Sequence, residues 1–286
     1  MPRVTLRARS LQQMAELRRE KKEEQTVKTK ELFDLSGKVA VVTAGGHGLG
    51  REYCIAMAEF GADVVCNDID LALAKETLEH LKPFGNRAIA IQGDVSRPED
   101  VERLVSEALR NFGKIDVLFC NAGITNRFVL PHELTYEDWS KVVAVNLRGT
   151  FLCMKAVLPA MLKQKKGSII STASVAGLPG GFAPDSSVYG ATKAAIIGLT
   201  RHAAVAYAKE GIRINAIAPG IHDTRPVGLG ISPEKQEELK PLIAQGIPMG
   251  RIGEPSEIRG LAAYLASDAS SYVTGQVFVE DGGYIA

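Results

Sequence analysis

Seven short apolar runs follow one another from Lys38 onward: KVAVVT (38–43), DVVCN (63–67), RAIAIQ (87–92), DVLFCN (116–121), GSIIST (167–172), IRINAIA (212–218) and QVFVE (276–280). Stretches of amphipathic helical composition lie between them. Runs that are apolar at successive positions must be covered on both faces, and strands alternating with helices pair in parallel. The pattern predicts one doubly wound α/β domain over residues 36–286, with about seven parallel strands and helices on both faces. Ligands then bind at the carboxyl ends of the strands. Helix starts are marked at Ser96-Arg97-Pro98-Glu99, with Ser96 as the N-cap, at Thr135-Tyr136-Glu137-Asp138 and at Ser232-Pro233-Glu234. No second domain boundary or internal repeat interrupts the alternation.

Charge and cysteine content narrow the function classes. A formal net charge of +1 leaves no electrostatic footprint for nucleic acid or an acidic membrane. No apolar stretch approaches the ~20 residues that span a bilayer. Cys54, Cys66, Cys120 and Cys153 form no C-x-x-C pair and each sits in an apolar segment. They are expected as buried, reduced thiols of a cytoplasmic protein, with no metal site. Residues 1–35 carry nine Lys/Arg and six Asp/Glu and include LQQMAELRREKKEEQ, a composition of strong helix formers. They read as a charged, partly helical arm that docks on a partner subunit. A targeting presequence is the rival, since Met1–Ala15 holds Arg3, Arg7 and Arg9 and no acid.

The stretch TAGGHGLG (43–50) follows the first run. It misses the G-x-G-x-x-G fingerprint, because the sixth position from Gly46 is Arg51. Gly45, Gly46, Gly48 and Gly50 still allow a tight reversal and a close approach of backbone amides to a pyrophosphate, and the helix REYCIAMAEF begins at once. The turn is therefore a Rossmann-type candidate. The second run leads to Asp68, 20 residues past Gly48. An acid there accepts the adenosine ribose hydroxyls and repels a 2′-phosphate. No Arg follows it, only Ile69 and Asp70, which favours NAD over NADP. Asp68 also fits as the N-cap of LALAKETLEHL.

Tyr189 and Lys193 form Y-x-x-x-K in SSVYGATKAAIIGLTRHAAVAYAKE, so they share one helix face. A free phenol titrates near ~10 and is a poor base at neutral pH. An ammonium about 4–5 Å away at an effective dielectric of about 20 favours phenolate by roughly 3–4 kcal/mol, which lowers the phenol by about two to three pH units. Tyr189 then exchanges a proton with an alcohol or carbonyl oxygen while hydride moves.

Together these segments resemble the classical short-chain dehydrogenase/reductase family. TAGGHGLG is similar to its T-G-x-x-x-G-x-G turn. Cys120-Asn121-Ala122-Gly123 is similar to its N-N-A-G, and Asn146 in VNLRGTF matches its mid-chain Asn. Ser174 in STASVAG precedes Tyr189 and Lys193 in the family order. Pro219-Gly220 with Thr224 matches P-G-x-x-x-T, and Asp281-Gly282-Gly283 matches the C-terminal D-G-G. The resemblance covers about Lys38 to Ile285. It implies Tyr189 as catalytic acid/base and Lys193 as the group that lowers its pKa and holds the nicotinamide ribose. It implies Ser174 on the substrate oxygen and Asn146 holding a water that relays protons from Lys193. The implied cofactor contacts at the adenosine and pyrophosphate end are Thr43, Gly45, Gly46, His47, Gly48 and Leu49, then Asp68, Ile69, Asp94 and Val95. Toward the nicotinamide they are Asn121, Ala122 and Gly123, Tyr189 and Lys193, and finally Pro219, Gly220, Ile221 and Thr224. The family also implies a homodimer or homotetramer, for which FLCMKAVLPAML (151–162) and the helix after Lys193 carry apolar faces.

Three positions depart from the family pattern. Ala44 replaces the first glycine of the turn, Cys120 replaces the first Asn of N-N-A-G, and Ser174 and Tyr189 stand 15 apart, about two more than usual. If Ala44 needs φ > 0, it costs on the order of 1 kcal/mol. The extra length lies in GLPGGFAPDSS, beside the substrate. Residues 221–250 read as a loop and helix forming a lid. Phe182, Val227, Leu229, Ile231 and Met249 offer apolar contact there, and Arg225 and Arg127 are candidates for an anionic group. The resulting expectation is an NAD-dependent oxidoreductase of secondary alcohols and ketones. An NADPH-dependent 3-oxoacyl-carrier-protein reductase is the rival enzyme, and a non-catalytic cofactor-binding sensor or scaffold the rival from another class.

Overall fold

The structure, a computed structural model, describes residues 28–126, 129–181, 186–224 and 233–286. The arm over 1–27, Arg127, Phe182, Arg225, Val227, Leu229, Ile231 and Ser232 lie outside the described residues. Strands β1 to β7 span Val39–Thr43, Asp63–Asp68, Ala88–Gln92, Val117–Cys120, Gly167–Thr172, Ile212–Pro219 and Val277–Glu280. All seven pair in parallel, in the order β3-β2-β1-β4-β5-β6-β7. This is the doubly wound sheet that the alternation of the sequence demands. The strand order reverses between β1 and β4, so the connections leaving their carboxyl ends run to opposite faces of the sheet and open a crevice there.

The helices are α1 (Gly48–Glu59), α2 (Leu71–Leu81), α3 (Pro98–Phe112), α4 (Tyr136–Gln164), α5 (Ser187–Tyr207), α6 (Pro233–Gln245) and α7 (Arg259–Ala266). Successive residues of β1 face opposite layers. Ala40 and Val42 pack under α1, α2 and α7, while Val39 and Val41 pack under α3, α4 and α5. Each fully buried Val or Leu in these layers stabilises the fold by about 1.5–3 kcal/mol.

Helix α3 shows how local sequence sets an element. Pro98 occupies its first turn with Glu99 and Asp100, which suit the positive end of the helix dipole. Val101, Leu104, Val105 and Ala108 form its buried stripe at helical spacing, and Gly113, at φ 78, ends it in the left-handed conformation. The N-cap is Arg97, not Ser96 as the sequence predicts. Asp94 turns the chain first, accepting from Ser96 N at 2.8 Å, and so pushes the helix start one residue on. Thr135 does cap α4, accepting from Asp138 N at 3.1 Å.

Helix α4 is 29 residues long and apolar enough to cross a membrane. That exceeds the expectation that no stretch approaches bilayer length. In this fold Cys153, Met154, Val157 and Met161 of α4 instead pack on the sheet. The helix contains a π-helical turn, Val143–Arg148, which carries Asn146. Ahead of β1, the turn Thr29–Phe33 sets Phe33 against Phe60 with ring centroids 6.1 Å apart, and Leu35 is fully buried.

Candidate active site

The carboxyl ends of β1, β4, β5 and β6 surround a cleft of about 520 Å³. One wall is the glycine turn. It is held from behind by donors that the sequence pattern did not single out. Arg51 donates Nη2 to the Gly46 carbonyl at 2.6 Å and pairs with Glu76 at 2.9 Å. Thr77 donates Oγ1 to the Gly45 carbonyl at 2.9 Å. The residue that breaks the fingerprint, Arg51, thus clamps the turn. Side chains are excluded where the turn meets the core. A Cβ on Gly45 would lie 2.7 Å from Cys66 Sγ and 3.0 Å from Cys54 Sγ, and one on Gly50 would lie 1.9 Å from the Ala44 carbonyl oxygen.

Ala44 has φ 49, the left-handed region expected of a glycine at its position. Its carbonyl accepts from Asn121 Nδ2 at 3.2 Å, and the same amide reaches the Thr43 carbonyl at 3.1 Å. Thr43 itself is buried, and its Oγ1 accepts from the amides of Asn121 and Ala122 at 2.9 and 3.1 Å. Thr43 and Asn121 therefore lock the ends of β1 and β4 together at the switch point. His47, Gly48 and Leu49 line the cleft, with α1 starting at Gly48.

Asp68 is 4 % exposed at the end of β2, and its Oδ2 accepts from Gly46 N at 2.9 Å. Its Oδ1 accepts from Asp70 N at 3.0 Å. Asp68 is not the cap of α2. Asp70 fills that place, accepting from Ala72 N at 2.8 Å, because the chain needs two further residues to turn into the helix. Ile69 is exposed beside it. Asp94 sits beyond β3 with its own amide bonded to Asp100, and Val95 is buried against Gly149.

The deep part of the cleft joins α5 to β5. Tyr189 is the third residue of α5, and its backbone N–H, which has no acceptor within the helix, donates to Asn126 Oδ1 at 3.3 Å. Lys193 follows one turn later, 3 % exposed, and donates Nζ to the Thr172 carbonyl at 2.7 Å. That Nζ lies 5.5 Å from the centre of the Tyr189 ring. Ser174, 9 % exposed, follows β5 and accepts from Ala176 N at 3.1 Å. Burial lowers the Lys193 ammonium to about 8. Burial also raises the Tyr189 phenol, against the opposing effect of its hydrogen bond with Ser174. This reverses the direction that charge alone predicts. The lysine sits on the Thr172 carbonyl, and desolvation costs the phenolate more than the Ser174 hydrogen bond returns.

Asn146 is fully buried behind Gly123 and does not line the cleft. Its Oδ1 accepts from Ile124 N at 2.8 Å and its Nδ2 donates to the Ile124 carbonyl at 2.9 Å and to Thr192 Oγ1 at 3.2 Å. It stitches the segment after β4 to α4 and α5. Cys120, where the family has an amide, directs its thiol to the Thr150 carbonyl at 3.8 Å.

The last wall is the segment after β6. Pro219, Gly220, Ile221 and Thr224 line it, with Thr224 Cγ2 3.4 Å from where a Gly48 Cβ would stand. Helix α6 adds Leu239, Lys240 and Ile243, and Lys240 Nζ lies 2.8 Å from Asp223. Val175, Ile252 and Tyr284 extend the apolar lining. Met249 lies instead on a smaller cavity behind His222. Sequence reasoning missed the Thr172 carbonyl, Lys240 and Tyr284, which meet the cleft only through the tertiary fold, and Asn126, which holds the Tyr189 amide.

The residues fit a dinucleotide. Glycines at 45, 46 and 50 bring bare backbone to the head of α1, a helix start suited to phosphate. His47 Nδ1 is buried without a hydrogen-bond partner among the described residues. The Asp68 carboxylate ends the second strand with no cation paired to it among the described residues.

Residues 43–285 match the family model described as Enoyl-(Acyl carrier protein) reductase. A 3-oxoacyl-[acyl-carrier-protein] reductase of Synechocystis sp. is 40 % identical over 88 % of this chain and 98 % of that protein. A cyclohexanol dehydrogenase of Acinetobacter sp. is 37 % identical over 87 % of this chain and 95 % of that protein. The crystal structure of a short-chain type dehydrogenase/reductase from Mycobacterium marinum superposes with a TM-score of 0.84 at 35 % identity, covering 90 % of this chain and 98 % of that one.

Proposed function

The chain belongs to the short-chain dehydrogenase/reductase family of oxidoreductases, and from that premise we propose that it is an NAD-dependent dehydrogenase of apolar, alicyclic secondary alcohols, working in reverse as a ketone reductase. The observation that carries the reading is the meeting of Ser174, Tyr189 and Lys193 in one cleft, with the lysine buried and its Nζ 5.5 Å from the centre of the tyrosine ring.

In this reading Ser174 and Tyr189 bracket the substrate oxygen. Tyr189 takes the hydroxyl proton of the alcohol during oxidation and returns it to the carbonyl oxygen during reduction. Ser174 donates to the oxygen as negative charge develops on it. The nicotinamide supplies the hydride acceptor or donor when bound. Lys193 keeps a positive charge beside the phenol and takes up the ribose. Asn146 fixes the Ile124 backbone behind this group, and its Oδ1, bonded once by the Ile124 amide, keeps a second acceptor position for the relay water.

Asp68 supports NAD. It sits on the Gly46 amide, and the nearby Arg51 guanidinium is engaged by Gly46, Thr77 and Glu76, so a 2′-phosphate would meet an acid without a free cation. Val175, Leu239, Ile243, Ile252 and Tyr284 support an apolar substrate, as does the likeness to the Acinetobacter cyclohexanol dehydrogenase. The likeness to the Synechocystis reductase favours a carrier-bound 3-oxoacyl substrate with NADPH as the second reading. Exposed Phe151 and Val205 on α4 and α5 support assembly as a dimer or tetramer. Four buried thiols suit the cytoplasm.

The test is turnover of cyclohexanol and related alcohols with NAD and with NADP, repeated with Tyr189→Phe. Oxidation with NAD that falls by about 10³-fold or more in the variant supports the reading, by the scale of acid–base catalysis plus loss of the proton acceptor. Preference for NADPH and an acyl-thioester substrate selects the second reading. Full activity of Tyr189→Phe overturns both.

A further inference from the structure

His222 lies at the centre of the segment that follows β6, with its side chain 4 % exposed. It forms the partition between the main cleft and a smaller cavity of about 90 Å³. Its ring packs on Gly253, where a Cβ would come within 2.9 Å of Cδ2. Its Nδ1 lies 3.4 Å from the Gly220 carbonyl and its Nε2 lies 3.5 Å from Glu280 Oε1, at the end of β7. That Glu280 oxygen is buried and has no hydrogen-bond partner among the described residues, so the imidazole is the polar group set against it. The backbone on either side is tied to the same place. His222 and Gly253 form a β-bridge, with Asp223 N donating to the Gly253 carbonyl at 2.8 Å and Gly253 N to the Ile221 carbonyl at 3.0 Å. The chain then turns back, with Thr224 N on the His222 carbonyl at 2.7 Å, and delivers Thr224 to the glycine turn.

We propose that His222 is a positioning residue for cofactor binding: wedged between Gly253 and Glu280, its imidazole sets the Pro219–Thr224 segment at the distance from the glycine turn that lets the two close on one dinucleotide. This rests on the dehydrogenase reading for its effect on binding, but not for its effect on the backbone. The imidazole is small enough to pass Gly253, planar enough to lie on it, and polar at both edges, which Gly220 and Glu280 require. A leucine there meets the Glu280 carboxylate with an apolar edge and crowds Gly253. A glutamine keeps a planar head with N–H donors for the carbonyl and carboxylate oxygens that face it.

The test compares wild type, His222→Leu and His222→Gln by two readouts. Hydrogen exchange of the Asp223 and Gly253 amides reports the bridge without any cofactor. NADH affinity, followed by the fluorescence of the bound dinucleotide, reports the consequence. The expected result is exchange at both amides at least tenfold faster in His222→Leu, and within about threefold of wild type in His222→Gln. NADH dissociation constants should follow the same order, with kcat at saturating cofactor changed by less than about threefold. Equal protection of the two amides in wild type and His222→Leu overturns the inference. Lost protection with wild-type NADH affinity overturns its link to cofactor binding. A wild-type chain that binds neither NADH nor NADPH sinks the dehydrogenase reading instead, leaving the exchange result to judge His222. Should His222→Leu not fold, Glu280→Leu removes the partner from the other side, and unchanged exchange there overturns the inference equally.

Discussion

Replacing Ala44 by Gly should stabilise the protein without changing how it binds its cofactor. Ala44 is held at φ 49 by the fold itself, between the Gly45 amide on the Asn67 carbonyl and the Asn121 amide on its own carbonyl. An L-residue in the left-handed region costs about 1–2 kcal/mol. Glycine removes that cost but loses more chain entropy on folding, by about 0.4–1 kcal/mol. The difference favours Gly by about 1 kcal/mol, which corresponds to a rise in Tm of about 2–3 °C for a domain of this size. Because protein hydrogen bonds impose the strain, it is the same with and without cofactor and cancels from binding. The NAD dissociation constant should therefore move by less than about twofold, under ~0.4 kcal/mol. Thermal and urea unfolding of both proteins, with NAD titration of each, make the comparison. A variant less stable than wild type would refute the strain argument. A large change in NAD affinity at unchanged stability would show that the methyl group itself touches the adenosine end.

Two further outcomes follow from the site. Lys193 has a folded pKa of about 8 against an ordinary 10.5, so the unfolded chain binds more protons between these values and stability rises with pH there. Between pH 8 and 9.5 wild type should gain about 1.6 kcal/mol over Lys193→Met, the slope rising toward about 1.4 kcal/mol per pH unit above the folded pKa; parallel urea-derived curves would contradict the burial argument. Asp68→Asn keeps size but removes the charge, and losing charge-assisted bonds of about 1.5–3 kcal/mol should cut the ratio of kcat/KM for NAD over NADP by about tenfold or more. An unchanged ratio would mean that Asp68 serves only the Gly46 amide.

The sheet was legible in the sequence because parallel strands covered on both faces leave continuous apolar runs. All seven occur within two residues of their expected places. Helix starts were less legible. Ser96 and Asp68 each looked like caps, and Arg97 and Asp70 took the positions because short turns preceded the helices. Ser174, Tyr189 and Lys193 were legible since their spacing along β5 and α5 is local in sequence. The direction of the Tyr189 shift was not, since it depends on how deeply the pocket is desolvated. The Thr172 carbonyl under Lys193 and the His222–Glu280 contact were invisible for another reason. They join β5 to α5 and β6 to β7, and no spacing rule encodes a contact between strands that are neighbours only in space.

The two thiols beneath the glycine turn have a consequence for watching it move. Cys54 and Cys66 are fully buried, with Gly45 lying directly over both sulfurs. Burial also holds the Cys54 thiol well above its usual range, so it is unreactive where it stands. An alkylating reagent reaches these sulfurs only when the turn lifts from the core. The rate at which they are labelled is thus a clock for opening of the dinucleotide cradle, wired into the native sequence and readable without any added probe.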